Sequence, residues 1–281
     1  MREPDQRAVG LGLRRALFQD LLDAPVGAID FVECAPENWI GLGGRYAGML
    51  SQITARYPLT CHGLSLDLGG LTPFDDAHLN DLRTFLREHQ VQLYSEHLSW
   101  SGDNARLHEL FPLPFSDESV RHVSARIRDV QDRLERRIAI ENVSYYLTMP
   151  TGAASPMSEP EFVHAVAETA DCDVLLDVNN LYVNHRNHGT DPLELLHLLD
   201  PRRIVCMHIA GHFVESNDLV IDSHGAAVTD TVWDLLDQTV AQIGPRATVL
   251  ERDFHFPPFE QLLDEAQRIR LTLQRTMSST Q

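Results

Sequence analysis

Asp173-Val174-Leu175-Leu176-Asp177, running on into Val178-Asn179-Asn180, is the stretch from which the fold can be read. It is a short apolar run that closes on an acid, the mark of a strand buried on both faces and ended by a functional side chain. Working outward, the same reading predicts strands at residues 9–13, 29–34, 59–62, 91–97, 137–141, 173–177, 204–208 and 248–251. Stretches with helical apolar spacing lie between them, at residues 16–22, 46–55, 76–88, 118–134, 159–169, 192–199, 231–242 and 259–273. Ser158 with Glu161, and Asp191 with Glu194, have the spacing of capping boxes, and Pro192 suits a first helical position. Strands that alternate with helices pair in parallel and carry the helices outside. Eight such units predict a closed (β/α)8 TIM barrel spanning residues 1–275 as one domain, with a frayed tail at 276–281. An open doubly wound sheet is the alternative. No Gly-x-Gly-x-x-Gly turn follows a strand to support it, and Gly10-Leu11-Gly12 falls inside the first strand.

Charge excludes some functions. The chain holds 23 basic and 41 acidic residues, a net charge of −18, which repels nucleic-acid phosphate and offers no basic footprint for it. No apolar stretch reaches the ~18 residues of a membrane span. The polar start Met1 to Gln6 lacks the basic and apolar regions of a signal peptide, so the expectation is a cytoplasmic protein. Cys34, Cys61, Cys172 and Cys206 form no Cys-x-x-Cys pair and read as buried free thiols, which suits a reducing compartment. There is no Gly-x-Ser-x-Gly elbow and no phosphate loop.

The strand ends carry the chemistry, because a barrel of this kind builds its site at their C-terminal face. The third strand closes on His62 and the fourth on Glu96-His97. The fifth closes on Glu141, the sixth on Asp177, the seventh on His208 and the eighth on Glu251. Asp222 and His224 follow the seventh strand. A lone polar residue at a strand end is ordinarily a satisfied one, but six in succession crowd carboxylates at one rim. Like charges so placed destabilise their ionised forms unless cations neutralise them. Imidazole with carboxylate suits zinc, iron or manganese, and a bridging carboxylate holds two ions ~3.5–4 Å apart.

The order His62, His97, Glu141, Asp177, His208, Asp222-x-His224, Glu251 resembles the trinuclear site of endonuclease IV and the xylose-isomerase-like barrels. Asn180 stands where that endonuclease has a histidine. The segments Gly10-Leu11-Gly12-Leu13-Arg14, Phe31-Val32-Glu33-Cys34-Ala35-Pro36-Glu37-Asn38, Ser95-Glu96-His97-Leu98-Ser99-Trp100, Glu141-Asn142-Val143-Ser144, Asp177-Val178-Asn179-Asn180 and His208-Ile209-Ala210-Gly211-His212 resemble another branch more closely. That branch is the multinuclear non-heme iron-dependent oxidative enzymes, which include the methanobactin-forming oxidase. The resemblance covers roughly residues 8–270. It implies two or three iron ions of mixed Fe(II)/Fe(III) valence, O2 as co-substrate, and a cysteine-containing, ribosomally made precursor peptide whose cysteine loses hydrogen from its β-carbon. A small partner protein that presents the peptide is implied as well. Carried over, His62, His97 and Glu141 would hold one ion, and Glu141 would bridge to a second held by Asp177, His208 and Glu251. Asn180, Asp222 and His224 would hold a third, weakly, because a neutral amide is a poorer ligand than histidine.

The other readings are a metal-dependent hydrolase, endonuclease or isomerase of the same barrel, and a metal-binding scaffold without catalysis. Glu33, Glu37 and Asn38 are candidates either to orient metal-bound histidines or to cap the next turn. His212 is a candidate for substrate or metal contact. His185 and His188 read as residues of a loop that either lines a peptide channel or is merely exposed. Trp39, Trp100 and Phe254 either stack on a peptide or pack the wall. His255 is ambiguous, and His78, His89, His108, His122, His164 and His197 read as structural or surface residues.

Overall fold

A computed structural model describes residues 5–102, 110–150, 157–216 and 218–275. The predicted tail at 276–281 and His108 lie outside the described residues. Eight parallel strands close into a barrel: β1 (Val9–Gly12), β2 (Phe31–Cys34), β3 (Leu59–Gly63), β4 (Tyr94–His97), β5 (Ala139–Glu141), β6 (Asp173–Asp177), β7 (Ile204–Ala210) and, last in the chain, β10 (Ala247–Glu251). β10 closes the ring between β7 and β1. Each strand read from the sequence is present, and β7 runs two residues further than expected.

The period of two explains how a barrel of apolar strands delivers polar groups to one end. Phe31, Leu93, Ala139, Leu175, Cys206 and Val249 pack together as one buried cluster. Two residues further along each strand, on the same face, stand Glu33, Ser95, Glu141, Asp177, His208 and Glu251. The interior is thus an apolar plug surmounted by a layer of acids and imidazoles. Gly10 is required by this plug, since a Cβ there would lie 2.5 Å from the Phe31 ring. The larger core lies between strands and helices. There α3 (Asp76–Glu88), α4 (Asp117–Leu134), α8 (Asp230–Ile243) and α9 (Phe259–Arg275) bury one apolar face each. Val120, Val123, Ile127, Val130 and Leu134 mark that face on α4. The two helices nearest the N-terminus, α1 (Phe18–Asp23) and α2 (Gly44–Thr54), follow β1 and β2.

Caps divide as follows. Ser158 and Glu161 form the expected box at the start of α5 (Glu159–Ala170). The box at Asp191 does not form: α7 (Glu194–Leu198) begins two residues past Pro192, and Asp191 Oδ1 accepts from Leu193 N instead.

Two elements depart from expectation. Residues Val178–His188 form a helix, α6, so His185 and His188 are helical and not in a loop. His185 Nδ1 lies 2.8 Å from Thr190 O, and His188 stacks on Tyr145 with ring centroids 4.0 Å apart, so both histidines brace the fold. After β7 the chain makes a hairpin of β8 (His212–Ser216) and β9 (Leu219–Asp222), an antiparallel pair outside the barrel.

Candidate metal centre

The three groups assigned first converge on a point. His62 Nε2 and His97 Nε2 are 3.0 Å apart, and each is 3.3 Å from Glu141 Oε2. Nitrogens and an oxygen packed so closely form a pattern that a cation would suit. The far side of the His62 ring is held by Ser95, whose Oγ lies 2.8 Å from His62 Nδ1.

The other oxygen of Glu141 faces a second set. Oε1 lies 3.4 Å from His208 Nδ1, which is 3.1 Å from Glu251 Oε2. Glu141, Asp177, His208 and Glu251 bring donor atoms within 4.8 Å of one another, and all four are buried. His208 presents its other nitrogen to Glu33, Nε2 to Oε1 at 2.6 Å, an ion-pair contact whose angle falls short of a hydrogen bond. Glu33 therefore stands beside the site's histidine, while Glu37 accepts from Leu64 N and Asn38 O from Arg15, so those two hold loops.

Asp177 is locked by its neighbours. Asn142 accepts from Asp177 N at 2.9 Å and donates to Asp177 O at 3.1 Å, in the manner of an adjoining strand. Asp177 Oδ1 caps α6 through Asn180 N, at 2.6 Å, which leaves its buried Oδ2 without a hydrogen-bond partner. Asn180 Oδ1 is likewise buried and unpartnered, its amide nitrogen donating to Asn142 O.

Asn180, Asp222 and His224 line the same cleft as His62, His97, Glu141 and Glu251. His224 Nε2 lies 2.8 Å from Asp222 Oδ1, and its Nδ1 lies 3.6 Å from Glu251 Oε2 and 3.4 Å from Asp253 Oδ2. Among the described residues this third set is looser: only the first two sets of acids and histidines converge within 4.8 Å. Asp253 and Arg14 are not among the site residues expected from the sequence, where Arg14 figures only as the end of the Gly10-Leu11-Gly12-Leu13-Arg14 segment. Arg14 Nε donates to Asp253 Oδ1 at 2.8 Å, and both residues line the cleft. A signal for Asp253 is present, two residues past Glu251 on the same period. Arg14 is placed by the third dimension alone, 239 residues away.

These side chains titrate one another. Burial alone would lower the His62 pKa, but the charge of Glu141 and its hydrogen bond outweigh it and raise the group to about 9. Burial and the neighbouring His62 push His97 down to about 4. Burial opposes ionisation of Glu141 and Glu251, yet the facing histidines hold both well below the usual carboxylate range. Burial drives Asp177 up, and the charges of Glu141 and Asp222 add to it. Buried oxygens and imidazole nitrogens without partners, gathered around a shared carboxylate, are the donor set that fits two hard or borderline divalent or trivalent ions.

The remaining candidates sort by contact. His212 is buried in β8, with Nδ1 2.9 Å from Asn179 Oδ1 and its ring stacked on Tyr182. Trp39 is buried and Trp100 packs edge-on against Phe111, so both are wall residues, whereas Phe254 is exposed. The cleft holds about 260 Å³, room for a small side chain and a few waters. All four cysteines are buried and free, Cys34 Sγ lying 3.8 Å from Cys61 Sγ.

Comparison with known proteins places this arrangement. The model of the RiPP precursor modification enzyme family MbnB/TglH/ChrH matches residues 8–274. A UPF0276 protein of Nitrosospira multiformis is 51% identical over 268 residues, which covers 95% of this chain and 94% of that protein. One from Pseudomonas aeruginosa is 49% identical over 272 residues, 97% of this chain and 94% of that one. Among solved structures, endonuclease IV from Thermus thermophilus superposes with a TM-score of 0.60 at 14% identity, covering 95% of this chain and 99% of that one. An L-ribulose 3-epimerase does so with a TM-score of 0.59 at 13% identity, covering 96% of this chain and 96% of that one. At such identities the structural likeness is one of fold, the xylose-isomerase-like TIM barrel.

Proposed function

The chain belongs to the RiPP precursor modification enzyme family MbnB/TglH/ChrH, and from that membership we propose that it is an iron-dependent, O2-using oxidase acting on a cysteine of a precursor peptide. The observation that carries the proposal is Glu141, whose two oxygens face two separate donor sets at 3.3 and 3.4 Å. A carboxylate so placed would serve as a ligand common to two ions. His62, His97 and Glu141 would hold the first. Asp177, His208 and Glu251 would hold the second with Glu141, and Asp222, His224 and Asn180 would hold a weaker third.

When bound, two or three irons of mixed valence supply a Lewis acid for the cysteine thiolate and the electrons for O2. The protein's part is to orient and exclude. Ser95 and Glu33 fix the ring planes of His62 and His208 from behind, so each offers one nitrogen to the site. The apolar plug beneath closes the site to solvent from below. Arg14 offsets part of the acid charge at the mouth through Asp253. The acid-rich lining, with Glu33, Glu141, Asp222, Glu251 and Asp253 against Arg14, disfavours a phosphoester substrate and suits a neutral or basic peptide. A small partner protein that presents the peptide belongs to the same proposal, as does a cytoplasmic setting, which four free thiols favour. No helix of the described residues is long and apolar enough to cross a membrane.

The test is elemental analysis with Mössbauer spectroscopy on protein purified without oxygen, followed by mass spectrometry of cysteine peptides encoded beside the gene. Two or three irons per chain with coupled ferric and ferrous signals, and an O2-dependent mass change on peptide cysteine, are expected. Zinc or manganese at full occupancy with little iron would replace this reading by a hydrolytic one.

A further inference from the structure

Apart from Asp222 at the end of β9, the hairpin of β8 and β9 is unused in the chemistry above, and its two outer edges differ. Along β9 the edge is filled. Val220 N donates to Asn187 Oδ1 at 2.9 Å, and Asn187 Nδ2 donates to Val220 O at 2.8 Å. Asp222 N donates to the Tyr146 hydroxyl at 2.9 Å. These backbone groups point away from β8. The pairs Val214↔Val220 and His212↔Asp222 are therefore those at which an antiparallel ladder turns both residues' N–H and C=O outward.

On the β8 side, Val214 consequently turns its N–H and C=O to the opposite edge. Among the described residues nothing there plays the part that Asn187 plays for Val220. Phe213 and Val214 project to opposite faces and are 53% and 52% exposed. Glu215 and Asp218, at the hairpin tip, are exposed and form no ion pair among the described residues. An exposed apolar edge with free backbone groups is the template on which another chain adds a strand.

We propose that the outer edge of β8 seats an extended, lysine- or arginine-bearing segment of the precursor peptide as a third strand. Naming the occupant as precursor peptide rests on the oxidase reading; the edge itself does not. A second copy of this chain is the poorer fit, because it would bring two chains of net charge −18 together. Position favours the substrate. β8 begins at His212, which faces Asp222 across the hairpin, and the Asp222 carboxylate lines the cleft. His212 Nδ1 and Asp222 Oδ1 both contact the side chain of Asn179, at 2.9 and 2.8 Å, which ties the strand to the site rim. At ~3.3 Å per residue, a segment paired at Val214 reaches the rim about two residues later. A cysteine just beyond the paired segment would then enter the cleft.

The probe is a fluorescein-labelled, cysteine-free peptide of alternating lysine and valine, read by anisotropy against the purified full chain, so that neither iron nor turnover enters the result. Wild type is expected to bind it. Val214→Pro, which deletes the outward N–H, should weaken binding at least about tenfold, while Val214→Ala should change it by less than about threefold. A matching glutamate–valine peptide should not bind. Hydrogen exchange at the Val214 amide, which needs no variant, should slow when the lysine–valine peptide is added. Equal binding by wild type and Val214→Pro, no binding by wild type, or an unprotected Val214 amide would each overturn the proposal. So would a wild-type dimer that Val214→Pro dissolves, since a second copy would then own the edge. If the lysine–valine peptide binds as expected yet no neighbouring cysteine peptide changes mass, the oxidase reading fails and the edge site stands.

Discussion

Glu33 shows how much of this site depends on residues that would never touch an ion. Its carboxylate lies 2.6 Å from His208 Nε2, and so directs the other nitrogen of that ring toward Glu141 and Glu251. A carboxylate behind a metal-bound imidazole fixes the ring and raises its basicity. Glu33→Gln keeps the shape and removes the charge, so metal affinity should fall by about 10–100-fold while the fold persists. Competition with a chromogenic chelator measures it, and an unchanged affinity would mean that Glu33 only fills space. Glu141→Ala makes a sharper cut. It removes the one group shared by both donor sets, so metal and activity should disappear together, and a variant that keeps its full metal complement would sink the bridging assignment. Asn180 tests the third set: Asn180→His should raise metal content or affinity, because imidazole is the stronger ligand. Invariant content in that variant would leave Asn180 with a hydrogen-bonding role only.

At the scale of elements, the barrel strands were legible because burial on both faces demands short apolar runs, and six of the eight runs close on an acid or imidazole at the C-terminal rim. Helix α6 was not legible, and its asparagines explain why. Asn184 donates to Val143 O and Glu159, and accepts from Tyr145 N, while Asn180 and Asn187 bond to Asn142 O and to Val220. The helix is fastened by amide hydrogen bonds where an ordinary helix would use an apolar stripe, so no 3.6-residue hydrophobic period announces it. Glu33 was half legible, as a polar residue at a strand end whose partner no local pattern reveals. The same network gives a pH prediction. Glu159, at the start of α5, is pushed up to about 8 by burial, the hydrogen bond from Asn184 only partly opposing this and nearby Glu194 adding to it. Its folded-state pKa lies above the unfolded value of 4.5, so the folded protein holds the extra proton between those limits. Stability from this group is therefore complete below about pH 4.5 and declines as pH rises toward about 8, by an amount on the order of a few kcal/mol. Glu159→Gln retains an acceptor for Asn184 and cannot ionise, so urea midpoints of the variant should fall less between pH 5 and pH 8.5 than those of wild type. Parallel curves for the two proteins would refute the buried neutral carboxyl.

For the molecule as a whole, the acid layer above the apolar plug would tie folding to metal. Glu141, Asp177, His208 and Glu251 are all buried, and Asp222, Asp253 and His224 crowd the same mouth, in a chain that already carries −18. Each carboxylate gains from a bound cation in the folded state, and the unfolded chain offers no assembled site to compete. A ligand present at about 100 times its dissociation constant stabilises the folded state by about 2.7 kcal/mol. At about 2–4 °C per kcal/mol for chains approaching this size, stripping one such ion should lower Tm by roughly 5–11 °C. Removing a second should lower it further. Calorimetry of protein as purified, after chelation and after reconstitution with ferrous iron under nitrogen measures this, and the loss should be reversed on reconstitution. Salt separates the cause from general charge repulsion, since screening with ~0.5 M potassium chloride relieves exposed like charges and leaves a buried site nearly untouched. If salt alone restores the stripped protein's Tm, the acids are a surface burden and not a metal layer. A Tm that chelation does not move would remove the structural ground for placing ions at these strand ends at all.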